Sequence, residues 1–103
     1  YNNYFDYILE YTFYCAINPN KRNLYIQNCN KLLKRKGKLI GIMLPIGNDE
    51  VNSNPPFKVT LNELKKKFST FFKLKNLYPN NLSIKEREGI EYIVEYDKIN
   101  SNV

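Results

Sequence analysis

The stretch "FDYILEYTFYCAINP", residues 5–19, decides the fold. Its first half carries β-branched and aromatic side chains around Ile8 and Leu9, which predicts a strand over residues 4–12. The strand ends in a carboxylate, Glu10, followed by the aromatic residues Tyr11, Phe13 and Tyr14 and by Cys15. Asn18 is then a good helix N-cap, and Pro19 suits the first helical position. A strand that stops in a polar, aromatic corner and turns at once into a helix reads as the first part of a β-α-β unit with parallel strands.

Outward from that corner the pattern continues. Leu24, Tyr25, Cys29, Leu32 and Leu33 recur at helical spacing, and Gly37 suits the position just past a helix end. Residues 38–46, "KLIGIMLPI", are apolar on both faces, as in a strand covered on two sides. Residues 47–59 form a long polar loop ending in two prolines and an aromatic. Thr60 and Glu63 fit a capping box, with Leu61, Leu64, Phe68 and Phe71 on one face of the helix it opens. "FFKLKNLY", residues 71–78, alternates like a strand. After "PNNLSIKEREG" the run "IEYIVEY", residues 90–96, alternates again, with Ile90, Tyr92, Val94 and Tyr96 on one side. The order strand-helix-strand-helix-strand-strand predicts an α/β fold with a mixed sheet whose last strand is antiparallel. Residues 1–98 are expected to form half of a domain, because the first strand lies too near Tyr1 to open such a sheet. Residues 99–103 read as a frayed tail.

Composition narrows the function. The 103 residues are 43 % hydrophobic, enough for one small core, and no apolar run reaches membrane-spanning length. No secretory leader is visible. The formal charge of +6 invites a nucleic-acid partner. Lys outnumbers Arg 13 to 3 and Asn reaches 16, so the excess is read as compositional, on solvated faces, and nucleic acid is not the expected partner. Histidine is absent, and Cys15 and Cys29 lack metal-ligand spacing, so neither a metal site nor a histidine base is expected. Two free thiols fit a reducing, cytoplasmic compartment.

Three segments carry a resemblance. "FDYILEYTFYCAINPNKR" (5–22), "PPFKV" (55–59) and "LSIKEREG" (82–89), with "LLKRKGKL" (32–39) between the first two, together resemble the thiopurine S-methyltransferase family. The halide and thiol branch of these class I S-adenosylmethionine-dependent methyltransferases is the nearest variety. The resemblance implies that the chain is the C-terminal half of a Rossmann-like methyltransferase fold. The Gly-rich turn and the acidic ribose-binding residue of that fold belong to earlier strands, and "GIMLPIG" is no substitute because its glycines do not open a helix. The implied cofactor is S-adenosylmethionine. The implied partners are a small-molecule nucleophile and the N-terminal half of the same domain, without which the chain is expected to be inactive; no membrane partner is implied.

By the same resemblance, Glu10, Tyr11 and Thr12 form the cofactor-facing rim, where an aromatic face and oxygen atoms suit a cationic sulfonium. Phe13, Leu44, Pro55, Pro56, Phe57 and Arg87 are the implied substrate residues. Thiopurine-specific members carry arginine where this chain has Tyr11, which favours a thiol, halide or thiocyanate over a thiopurine-like thiol. Several relatives carry an aromatic where Leu44 stands. Arg87 would draw an anionic acceptor. No catalytic base is implied, since such acceptors arrive deprotonated and the work is alignment and desolvation. Acting on oxygen or nitrogen would need a base, with Glu10 and Asp49 as candidates. The rival classes are a small basic nucleic-acid-binding module and a non-catalytic interaction domain.

Overall fold

The computed structural model of the chain describes residues 3–44, 46, 57–80 and 90–99. The elements are β1 (Phe5–Tyr11), α1 (Phe13–Ala16), a 3-10 turn (Pro19–Lys21), α2 (Arg22–Leu32), β2 (Leu33–Met43), α3 (Leu61–Lys66), β3 (Phe72–Pro79) and β4 (Tyr92–Lys98). They form one sheet in the order β1-β2-β4-β3. β1 and β2 are parallel, and β4 runs antiparallel to both of its neighbours. The mixed sheet with a reversed last strand is as the sequence predicts, and β4 inserts between β2 and β3 rather than adding at an edge.

The helices cover one face. There Leu39 and Met43 of β2, Val94 and Tyr96 of β4 and Phe72 of β3 bury against Tyr14, Ile26, Cys29, Leu64 and Phe68. The Phe68 ring stacks on Tyr96 with centroids 4.4 Å apart, and the Tyr96 hydroxyl donates to the Leu64 carbonyl at 2.7 Å. An aromatic pair of this kind adds about 1 kcal/mol beyond the area it buries. On the opposite face Leu9 pairs with Ile40, which pairs with Glu95, and Tyr11 pairs with Ile42, which pairs with Ile93. That face is apolar on β1 and β2 and becomes charged on β4, where Lys38 reaches Glu95 at 3.1 Å and Asp97 at 2.6 Å.

Several expectations need correction. α1 is too short to leave a periodic signal and was not expected. In α2 the buried stripe is Arg22, Ile26 and Cys29, while Leu24 faces outward. The helix ends at Leu32, so Gly37 is not its cap. Gly37 lies inside β2, where the β1 pairing jumps from Phe5↔Leu33 to Tyr7↔Lys38. The extra residues bulge outward, Lys36 takes φ 67°, and a Cβ on Gly37 would sit 2.8 Å from the Lys34 carbonyl. α3 stops at Lys66, so Phe68 and Phe71 lie in the turn before β3. The expected capping box is present: Thr60 Oγ1 accepts from Glu63 N at 3.0 Å, and Thr60 N donates to Glu63 Oε1 at 3.1 Å.

Candidate functional site

In open α/β sheets ligands sit beyond the carboxyl ends of the parallel strands. Here that rim is the end of β1 and β2, where Glu10 pairs with Gly41 and Tyr11 with Ile42. Gly41 makes the corner possible. A Cβ there would lie 2.9 Å from Glu10 Cβ and Cγ, so only glycine leaves room for the glutamate side chain. Thr12 then takes φ 60°, left-handed backbone that costs a β-branched residue about 1–2 kcal/mol. Its N–H donates to the Ile42 carbonyl at 3.3 Å, and its carbonyl accepts from the Cys15 thiol at 3.1 Å.

The kink turns Glu10 inward. Its side chain is 4 % exposed, and both oxygens are engaged. Oε2 accepts from Phe13 N at 2.9 Å, and Oε1 accepts from Tyr14 N at 2.9 Å and from the Tyr25 hydroxyl at 2.7 Å. Glu10 therefore satisfies the free N–H groups that open α1. Burial raises its pKa above the ordinary carboxylate value, offset in part by the hydrogen bonds from Tyr25, Tyr14 and Phe13. Tyr11 and Phe13 are 63 % and 54 % exposed; Tyr11 stands on the open face, and the Phe13 ring lies 5.3 Å from that of Tyr25.

A second network ties down the segment that follows the polar loop. Arg22 is 1 % exposed, with its guanidinium 4.7 Å over the Tyr14 ring. Nη2 donates to the Phe57 carbonyl at 3.1 Å, and Nη1 donates to the Lys58 carbonyl at 3.2 Å and to Glu63 Oε1 at 3.1 Å. The Tyr14 hydroxyl donates to Glu63 Oε2 at 2.7 Å, and Phe57 N donates to the Cys15 carbonyl at 2.7 Å. Phe57 is thereby fixed against α1, on the same rim as Tyr11–Phe13. Leu44, just past β2, is buried, and its backbone N–H reaches the Cys15 thiol. Burial raises the Cys15 pKa, and it pushes Cys29 up to about 11, so both thiols are protonated packing groups rather than nucleophiles.

The fold thus gathers Glu10, Tyr11, Thr12, Phe13, Leu44 and Phe57. Pro55, Pro56 and Arg87, and Asp49 among the candidate bases, lie outside the described residues. Sequence reasoning missed Arg22, Tyr14, Tyr25 and the second role of Glu63; an arginine four residues ahead of a buried Ile26 was the available signal. Among the described residues no group of His, Cys, Asp or Glu could hold a metal, and no helix is long and apolar enough to cross a membrane. The two exposed rings at the strand tip suit a sulfonium cation. The Glu10 carboxylate is buried and accepts three internal hydrogen bonds, two at Oε1 and one at Oε2.

A family model described as thiopurine S-methyltransferase matches residues 2–98. The chain is 38 % identical over 95 residues to "Probable thiol methyltransferase 2" of Arabidopsis thaliana, covering 91 % of this chain and 41 % of that protein. It is 34 % identical over 100 residues to thiocyanate methyltransferase 1 of Brassica oleracea, covering 96 % and 43 %. It spans about two-fifths of the length of these curated relatives. The fold is shared with 1,6-didemethyltoxoflavin-N1-methyltransferase of Burkholderia thailandensis, a structure containing S-adenosylhomocysteine, at TM-score 0.78, 13 % identity and coverage of 96 % and 46 %. A methyltransferase from Methanosarcina mazei described as SAM-dependent aligns at TM-score 0.75, 14 % identity and coverage of 97 % and 62 %. The four-stranded sheet is accordingly part of a Rossmann-like methyltransferase fold, of the class that uses S-adenosylmethionine. With the family model matching nearly the whole chain, this protein belongs to the thiopurine S-methyltransferase family.

Proposed function

We propose that residues 1–98 are the C-terminal half of a methyltransferase domain that moves a methyl group to a small soft nucleophile, a thiol, halide or thiocyanate. The observation that carries this reading is the outer side of β1. It is an edge strand, and its alternate residues Tyr7, Leu9 and Tyr11 are exposed, Leu9 at 79 %. Large apolar side chains in a row on a sheet face that nothing covers among the described residues call for a covering layer. The occupant is the preceding half of the same domain, the part of the relatives that this chain does not span.

S-adenosylmethionine would supply, when bound, an activated methyl group on a cationic sulfur. Tyr11 and Phe13 offer that charge two aromatic faces, Thr12 shapes the turn beneath them, and Glu10 holds the turn from inside. Phe57 closes the rim from the side, its carbonyl held by Arg22, and the buried Leu44 lies just past β2; Pro55, Pro56 and Arg87 are the further acceptor residues that the family resemblance implies. The thiols and carboxylates of this rim are protonated or engaged, which suits an acceptor that needs no base. Tyrosine rather than arginine at position 11 favours a small anion over a thiopurine.

The test joins this chain to an upstream segment containing a strand, a Gly-rich turn and an acidic residue about 20 residues on. The joined protein should methylate thiocyanate, iodide or a small thiol, and Tyr11→Ala should lower kcat/KM at least tenfold with little change in unfolding midpoint. An upstream reading frame without that pattern, or Tyr11→Ala kinetics equal to those of the unaltered enzyme, would defeat the proposal.

A further inference from the structure

The helical face carries a feature separate from the rim. A trough runs between α2 and the turn joining α3 to β3. Its upper part, about 330 Å³, is walled by Ile26 on one side and Lys66 and Lys67 on the other, with Thr70 and Phe71. Its lower part, about 850 Å³, continues past the same Thr70 and Phe71 to Lys34, Arg35 and Lys98. The shared residues make it one groove, with Phe71 at its waist.

Charge is segregated around it. Five cationic side chains line the groove, and no carboxylate does among the described residues. Glu10 and Glu63 serve the rim networks, Glu91 is buried, and Glu95 and Asp97 hold Lys38 on the opposite face. Asp6 comes only within 3.8 Å of Lys34. The bulge that opens β2 carries Lys34 and Arg35 outward. Lys98 Nζ donates to the Asn30 and Leu33 carbonyls at 2.7 Å each, closing the carboxyl end of α2 so that its partial negative charge does not face the groove. Cations scattered in sequence are thus brought to one place by the fold.

We propose that this groove holds single-stranded nucleic acid along its phosphodiester backbone. A concave trough lined with cations along its length tracks a flexible strand, whereas a bilayer surface is flat. Asn23, Gln27 and Asn30 stand at i, i+4 and i+7 on α2, presenting amide donors and acceptors along about 10 Å of one wall. Phe71 offers a ring on which a base can stack. The site lies on the helical face and runs toward the amino ends of β1 and β2, so it stands or falls independently of methyl transfer at the opposite rim.

The test is fluorescence anisotropy of a labelled mixed-sequence 20-mer DNA strand with the whole chain, from 50 to 200 mM salt. Four cations, Arg35, Lys66, Lys67 and the exposed Lys34, whose one carboxylate contact is the 3.8 Å pair with Asp6, predict a slope of log affinity against log salt of about −3, at roughly −0.7 per contact. Replacing Arg35, Lys66 and Lys67 by Gln should reduce affinity at 50 mM salt at least tenfold and bring the slope to about −1. The same net-charge change made by Lys21→Gln, Lys73→Gln and Lys75→Gln, outside the groove, should alter affinity less than threefold, with far-UV circular dichroism unchanged in both variants. Absence of binding at 50 mM salt, equal losses in the two triple variants, or equal competition by polyglutamate or by anionic vesicles would each overturn the assignment.

Discussion

Glu10 and Leu9 are neighbours in β1, yet one is 4 % exposed and the other 79 %. The alternation of a strand puts Glu10 on the helical face, among hydrogen-bond partners that account for both of its oxygens, and Leu9 on the open face, beside Ile40 and across from no helix among the described residues. A polar group is buried while an apolar one is left in water. The pairing makes sense when the two faces are assigned different partners. The helical face is complete within this chain, down to a buried arginine with its acceptors in place. The open face carries no covering layer among the described residues, and covering each large apolar side chain there would contribute roughly 2 kcal/mol.

The contrast can be broken at several points, beginning with the largest effect. Arg22→Ala leaves the mostly buried Glu63 carboxylate without its cation and the Phe57 and Lys58 carbonyls without their donor. It should lower unfolding stability by about 4 kcal/mol in a urea titration. Glu10→Ala strands the Phe13 and Tyr14 N–H groups and should cost about 2–3 kcal/mol, with faster hydrogen exchange at those two amides. Thr60→Ala removes half of the capping box and should cost about 1 kcal/mol by the same titration. Leu9→Asn, on the open face, should change stability by no more than about 0.5 kcal/mol. A loss above 1 kcal/mol there would mean that this chain itself covers the face.

Acidity separates the same two faces by sign. Glu95 is held below its ordinary value of 4.5 by the Asn76 amide and then the Lys38 ammonium, so its contribution is present above pH 4.5 and is lost as pH falls through the folded value. Glu10 is shifted upward by burial, so its contribution is fully present below pH 4.5 and is lost as pH rises through its folded value. Glu95→Gln should therefore destabilise the chain at neutral pH and have no effect once the pH is below the folded value. Glu10→Gln should flatten the pH dependence above pH 4.5. Unfolding midpoints from pH 2.5 to 7 would show both, and a like-signed response would sink the distinction.

Much of the frame was legible because it is written locally. The capping box at Thr60 and Glu63 is a four-residue signal, and the alternation of Tyr92, Val94 and Tyr96 places them on one face with no tertiary help. Residues 10–13 and Phe57 were all named by way of the resemblance, and what the fold adds is that residues 10–13 sit together where β1 ends. What stayed hidden depends on partners far along the chain. Arg22 reads as a solvated cation until Glu63, 41 residues later, and two backbone carbonyls surround it. Gly37 reads as a helix stop because the helix passes into β2 with no loop between them, and the residues around it belong to a bulge. Tyr25 looked like one more apolar residue of a helix stripe, whereas its hydroxyl is the third donor to Glu10.

The near-contact of Gly41 with Glu10 makes two sequence-distant positions a single unit of inheritance. Replacing β2 by any strand with a side chain at that point would evict the carboxylate next door, release the first turn of α1 and let the aromatic tip swing. Grafts between family members should therefore carry residues 10 and 41 together, and a lone substitution at 41 should register first as a disordered Tyr11 and Phe13 rather than as a damaged β2.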